Sequence, residues 1–277
     1  MSLFAEIPIE KVASYWNSRP CNLRHSPAPV GTREYFDGVE ARKYFVEPHI
    51  PAFADFSCWS GKRVLEIGCG IGTDTINFAR AGAEVTAVDL SEKSLELARL
   101  RASVYGLEKN ITFIQANAEQ LSEFVAPAAY DLIYSFGVIH HTPEPRRVIE
   151  QVRKHFARPG SVLKIMVYHR HSTKVGRILA ENRFDWRGLD VHVARHSEAQ
   201  TGCPVTYTYT PDSLERLLEG FTVQKMFVDH IFPFRIDEYI RYRYVKAWPW
   251  RGLPQPALRW FERRFGWHLC VTAVAGP

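Results

Sequence analysis

From Lys62 onward the hydrophobic positions switch between two periods. Short apolar runs that read as buried strands alternate with stretches whose apolar residues recur every three and four positions, the pattern of a parallel sheet with crossover helices. Val64 to Ile67 is the first strand and ends in glycines. Thr73 to Ala81 reads as a helix stopped by Gly82. Glu84 to Asp89 is a second strand, and Ser91 is placed to cap a helix running through Leu95, Ala98 and Ala102. Ile111 to Gln115, Asp131 to Ser135 and Ser161 to Tyr168 supply strands three to five, and Arg146 to Phe156 reads as one helix with Val148, Ile149, Val152 and Phe156 on a common face. Thr210-Pro211 starts a further helix that Gly220 stops, with Leu214, Leu217 and Leu218 as its buried stripe. Phe221 to Val228 and Trp267 to Val274 close the sheet as strands six and seven.

The expected fold class is therefore α/β, a doubly wound and mostly parallel sheet with helices on both faces. Pro8, Pro20, Pro27, Pro29, Pro48 and Pro51 break the first sixty residues into short pieces, so residues 1–60 are expected to form a helical extension ahead of a main domain at 61–277. Two segments, 169–209 and 230–266, are longer than ordinary loops and read as insertions on the substrate side.

Composition narrows the class without naming a chemistry. Hydrophobic residues make up 46% and charged residues 23% of 277, which is ordinary for a globular protein large enough to bury a core without staples. Cys21, Cys58, Cys69, Cys203 and Cys270 are scattered without CxxC spacing, so free thiols and no metal site are expected. Acidic residues occupy the start and no apolar run reaches membrane-spanning length, so a cytoplasmic location is expected. The net charge is +5, and Arg235 to Arg264 alone holds eight Lys or Arg against three acids, interleaved with Tyr239, Tyr242, Tyr244, Trp248, Trp250, Trp260 and Phe261. Such a stretch suits an acidic or aromatic ligand, a nucleic acid or a membrane surface, or simply a solvated helical face.

The chemistry concentrates in Glu66-Ile67-Gly68-Cys69-Gly70-Ile71-Gly72, a strand that ends in a glycine turn opening a helix. Asp89 ends the next strand twenty-one residues after Gly68, where a carboxylate can accept hydrogen bonds from both ribose hydroxyls. Together these indicate an adenosine-containing cofactor. A dinucleotide would want glycine where Thr73 stands, and Glu66 would repel a pyrophosphate while suiting an ammonium group.

With VLEIGCGIGTDT, AVDLS, NAEQL and YDLIYSFGVIHHTPEP, the chain resembles the class I methyltransferases that use S-adenosylmethionine (SAM), especially the ubiquinone/menaquinone-biosynthesis-like small-molecule group. The resemblance covers roughly Lys62 to Tyr168. It implies a seven-stranded sheet of order 3-2-1-4-5-7-6 with strand seven antiparallel. It also implies that Glu66 and the backbone of Gly68, Cys69, Gly70 and Gly72 hold the methionine end of SAM, that Asp89 holds the ribose, and that Leu90 packs on the adenine. Asn117-Ala118 stands where the family usually has Asp-Ala, and the Asn carbonyl can still accept from the adenine amino group. Ser135 and Phe136 would lie near the sulfonium.

Methyl transfer needs alignment of acceptor, methyl and sulfur, and needs a base only if the acceptor carries a proton. His140 and His169 follow strands four and five at the carboxyl edge of the sheet and are the candidates for that base, with no metal. Tyr15, Trp16 and Arg19 are placed to close over the cofactor as a lid. Tyr134-Ser135-Phe136-Gly137 lacks the run expected of enzymes that methylate base amino groups, and Pro20-Cys21 is misplaced for cytosine-C5 chemistry. A small-molecule acceptor is expected. The alternatives are an RNA-modifying enzyme that uses the basic aromatic segment and a non-catalytic partner subunit.

Overall fold

The computed structural model describes residues 3–196 and 202–276. Three helices come first, α1 (Ile9–Ser18), α2 (Arg33–Val46) and α3 (His49–Ala54). The sheet domain then runs β1 (Arg63–Ile67), α4 (Thr73–Arg80), β2 (Glu84–Asp89), α5 (Glu92–Tyr105), β3 (Ile111–Gln115), β4 (Leu132–Phe136), α6 (Pro145–Gln151) and β5 (Val162–Tyr168). It continues with α7 (Thr173–Glu181), α8 (Leu189–His196), α9 (Pro211–Leu217), β6 (Phe221–Asp229), α10 (Ile236–Tyr239), α11 (Gln255–Phe265) and β7 (His268–Ala275).

The seven strands lie in the order β3-β2-β1-β4-β5-β7-β6, and β7 pairs antiparallel with both β5 and β6. The expected fold class and strand order are both borne out. Alternate residues of the central strands go to opposite faces, the period of two that a pleated strand imposes. Val64, Leu132 and Tyr134 join the apolar cluster on one face with Phe53, Ile76, Phe78 and Leu95, while Leu65, Ile67 and Ile133 join the other with Val148, Ile149 and Phe156. The Ser91 hydroxyl caps α5 by accepting from the Ser94 amide at 3.1 Å, and Thr210 caps α9 in a reciprocal box with Ser213. The helix expected at 146–156 is shorter: after Gln151 the chain widens into a π-helical turn over Val152–Phe156, where the Ala157 amide reaches back five residues to the Val152 carbonyl.

The segment before β1 is packed onto the domain through a buried cation. Arg101 on α5 is fully inaccessible to solvent. Its guanidinium donates to Thr73 Oγ1 on α4 at 2.6 Å, to the Phe36 carbonyl on α2 at 3.2 Å and to Glu40 on α2 at 3.0 Å. One planar fork thus joins three helices, a geometry that lysine cannot reproduce. Between β6 and β7 the basic aromatic segment is folded against itself and α2. Arg42 of α2 lies 3.8 Å from the Tyr239 ring centroid and 4.4 Å from that of Tyr242, and Arg259 is bound by Asp229 and Glu262. Arg235 pairs with Asp237 and Arg243 with Glu238. Three of the segment's eight basic residues are thus paired with acids, and the segment keeps a net positive charge.

Replacing Arg101 with Met keeps the volume but leaves the Phe36 carbonyl without this donor. The substitution is expected to lower the unfolding free energy by about 3 kcal/mol, as breaking buried ion pairs does, and chemical denaturation of the two proteins measures the difference.

Candidate active site

One cavity of about 260 Å³ opens at the carboxyl edge of β1, β2, β4 and β5, where ligands bind in open α/β sheets. Its floor is the turn after β1. Gly68, at φ +81°, passes so close to Val138 that a Cβ there would lie 2.1 Å from a valine methyl. Only glycine permits both the left-handed conformation and that approach. Gly72 serves a different purpose: it starts α4 at φ +76° with Ala98 of α5 close against it, and it does not line the cavity.

Asp89 closes the far side of the turn. One carboxylate oxygen accepts from the Gly70 amide at 2.8 Å and the other from the Ser91 amide at 2.8 Å. Each oxygen keeps a second lone pair, so the carboxylate can still accept two further hydrogen bonds. Burial raises its pKa, and the Ser91 and Gly70 amides pull against that rise. Gly68, Cys69, Gly70, Leu90, Asn117, Ala118 and Phe136 also line the cavity. Asn117 is already engaged as a helical cap, its Oδ1 accepting from the Glu119 amide at 3.0 Å, which leaves that oxygen one lone pair for another donor.

Two expected cofactor contacts sit behind the cavity wall. Glu66 is 3% exposed and its carboxylate accepts from the Thr75 hydroxyl at 2.5 Å. Burial, with the nearby Asp74 charge, pushes its pKa up to about 8. Asp74 is the better solvated of these two acids by partners, taking hydrogen bonds from Lys43 at 2.7 Å and from Tyr44 and Tyr134 at 3.0 Å. Ser135 is likewise buried and donates to the Ile67 carbonyl at 3.0 Å, tying β4 to β1. Neither residue lines the cavity.

Neither histidine expected as a base faces the cavity. His140 is fully buried, with both ring nitrogens unpartnered among the described residues, and packs on Tyr168 at 3.8 Å between ring centroids with the planes tilted by 44°. Burial drives its pKa well below the usual imidazole range. His169 is held by its backbone to Trp267 and by Nδ1 to the Gly266 carbonyl at 3.1 Å. Of the adjacent pair, His141 is the one that lines the cavity, with Nδ1 at 2.8 Å from the Val205 carbonyl. A short 3-10 turn over Ile139–His141 makes this choice, because consecutive side chains on it point about 120° apart.

The cavity roof is α1. Val12 and Trp16 line it, and the Trp16 ring meets that of His141 edge to face at 5.1 Å. Asn17 fastens the roof: its Oδ1 accepts from the Ser91 hydroxyl at 3.0 Å and from the Lys93 amide at 3.2 Å, at the start of α5.

A family described as "Methyltransferase domain" matches residues 59–219, more than half of the chain. The chain belongs to this methyltransferase-domain family. SAM is accordingly the cofactor, as the resemblance implied. Among curated relatives, the ubiquinone biosynthesis O-methyltransferase of Bordetella parapertussis is 40% identical over 103 residues, 36% of this chain and 40% of that protein. Its counterpart from Vibrio cholerae serotype O1 is 39% identical over 100 residues, 36% of this chain and 39% of that protein. The alignments thus span about two-fifths of these relatives. Among solved structures, magnesium protoporphyrin IX methyltransferase from Synechocystis PCC 6803 with bound S-adenosylhomocysteine superimposes at a TM-score of 0.61, covering 97% of this chain and 100% of that one at 16% identity. Geranyl diphosphate C-methyltransferase from Streptomyces coelicolor A3(2) gives 0.59 over 96% and 97% at 15% identity. Identities this low speak to the fold.

The cavity contains residues that motif reading passed over. Lys43 and Glu47 of the α2 region and His268 of β7 line the same cavity. They lie outside the Lys62–Tyr168 stretch that carries the motifs, and only tertiary folding brings them in.

Two outcomes are expected at this site. Asp89→Ala should weaken S-adenosylhomocysteine binding by roughly tenfold to a hundredfold, the worth of charge-assisted hydrogen bonds of about 1.5–3 kcal/mol, measured by isothermal titration. Glu66, whose folded pKa of about 8 exceeds its usual 4.5, binds more protons folded than unfolded between those values, so its contribution to stability falls as pH rises through that window. Denaturation of Glu66→Gln against pH should show a flatter profile there than the parent.

Proposed function

We propose that this protein transfers a methyl group from SAM to a small amphipathic or aromatic acceptor, with residues 1–60 acting as the lid of the site in a domain that spans 61–277. The observation that carries the reading is the continuity of one cavity from Asp89 and the Gly68–Gly70 turn to a largely apolar end built from Phe136, Met166 and Tyr168. When bound, the cofactor supplies an electrophilic methyl on a sulfonium. Asp89 would take the ribose hydroxyls, Asn117 the adenine amino group and Leu90 an adenine face, which would direct the other end of the ligand toward Phe136. There the half-buried Phe136 ring suits both a sulfonium and a planar acceptor, with Tyr168, stacked on Trp267 at 4.0 Å, forming the wall behind.

The lid reading rests on the way α1 is attached. Trp16 covers the cavity while Asn17 anchors the helix to the start of α5, beside the Asp89 loop. Closing a roof over the reacting centre excludes water and fixes the attack distance. His141 replaces His140 as the residue placed to accept a proton from an acidic acceptor, because it alone of the pair lines the cavity. That the curated relatives act in ubiquinone biosynthesis as O-methyltransferases supports oxygen as the acceptor atom. No helix of the described residues is long and apolar enough to cross a membrane, and a cytoplasmic location agrees with that.

Incubation with methyl-labelled SAM and a panel of phenolic and carboxylic acceptors tests the proposal: label should enter an organic product, and no transfer to any of them, with S-adenosylhomocysteine still bound, would refute the acceptor class. His141→Ala should cut turnover by roughly a hundredfold or more, the usual worth of a general base, with cofactor affinity nearly unchanged. Asn17→Ala should weaken cofactor binding by up to about tenfold through loss of a roof hydrogen bond worth about 0.5–1.5 kcal/mol, without changing the overall fold by circular dichroism.

A further inference from the structure

At the acceptor end of the cavity four side chains converge from three separate parts of the chain. Glu47 follows α2, His49 opens α3, His230 follows β6 and His268 opens β7. Glu47, His230 and His268 can each offer one ligand atom such that all three atoms lie within 4.8 Å of one another. His268 Nε2 is 3.5 Å from a Glu47 carboxylate oxygen. We propose that Glu47, His230 and His268 form a binding site for a divalent transition-metal ion that opens into the methyltransferase cavity.

The donor set is two imidazoles and one carboxylate, the combination that leaves coordination positions free for water or substrate. Ligand bonds of about 2.0–2.2 Å around a tetrahedral ion place ligand atoms roughly 3.4 Å apart. The Glu47–His268 pair already has that spacing, and His230 needs a shift on the order of 1 Å.

A further hydrogen bond supports the assignment. His268 Nδ1 lies 3.1 Å from His49 Nε2, so the nitrogen turned away from Glu47 has a fixed partner. Such an outer contact sets the tautomer and aim of a metal-binding imidazole, and His49 is here a positioning residue. The neighbouring carboxylate is withdrawn from competition: both oxygens of Asp229 are bound by Arg259 at 2.9 Å. His230 itself sits at φ +71°, a left-handed conformation that turns the chain out of β6 at this point.

Glu47 and His268 line the cavity together with Phe136 and Tyr168, so an ion here would face the acceptor and not the adenosine end. Resting on the proposed methyl transfer, the site would take an acceptor bearing a hydroxyl or similar acidic oxygen. On coordination the oxygen would replace a metal-bound water and its O–H bond would break, the proton passing to His141, which lines the same cavity.

The test is Zn²⁺ binding by the untagged, chelator-stripped full chain, followed by competition with a fluorescent zinc chelator and by elemental analysis. One tight equivalent is expected, lost at least a hundredfold in affinity in His230→Ala and in Glu47→Gln, and weakened about 10–100-fold in His49→Ala, as outer-contact losses are. Glu47 is partly exposed at a helix end, so Glu47→Gln carries the test if His230→Ala does not fold. Absence of a tight equivalent, or one that survives these substitutions, overturns the site. Binding of S-adenosylhomocysteine is measured on the same protein without metal: zinc failing while that ligand binds refutes the metal site alone, and the reverse refutes the cofactor reading alone.

Discussion

The carboxylate of Asp89 holds the cofactor end of this molecule together. It spans from the Gly70 amide to the Ser91 amide, and so fixes the glycine turn after β1, the end of β2 and the first turn of α5 as one rigid unit. Backbone donors at such a position cannot go unsatisfied without cost, and a buried carboxylate cannot stay ionised without them. Each need meets the other. Asp89 also lines the cavity, so the group that organises the turn is part of the wall of the site.

The N-terminal helices complete what that unit begins. Arg101 binds α2 to α4 and α5, Asn17 binds α1 beside Ser91, and the Lys43 ammonium reaches Asp74 next to the buried Glu66. Two acids and one lysine in a dry pocket leave the balance to protonation, and Glu66, with the single Thr75 hydrogen bond, is the acid that stays neutral near pH 7. The same helices bring Glu47 and His49 to the opposite end of the cavity. A segment that reads as an appendage in one dimension thus supplies a roof, one wall and two members of a histidine-carboxylate cluster.

The main chain was legible because its signals are local and redundant. Apolar runs, glycine stops, the Ser91 cap and the spacing of Asp89 from Gly68 each report on a few neighbouring residues, and together they place every strand of the sheet. Failures came where one residue's direction depends on tertiary structure. His140 and His141 are indistinguishable as letters, and the geometry of a three-residue turn sends one into the core against Tyr168 and the other to the cavity. Glu66 and Ser135 carry the right chemistry at the right strand ends but lie behind the wall, bonded to Thr75 and to the Ile67 carbonyl. The expectation of no metal site came from cysteine spacing. Cysteine spacing does not report on Glu47, His230 and His268, which are far apart in sequence: β6 and β7 pair Asp229 opposite His268, and the end of α2 brings Glu47 beside them.

The most direct test of the central claim is a crystal structure of the protein with S-adenosylhomocysteine. The account requires both ribose hydroxyls on Asp89, the adenine between Leu90 and Asn117 beneath α1, and the sulfur turned toward Phe136 and Tyr168. A nucleoside bound elsewhere, or bound here with its ribose away from Asp89, would contradict it.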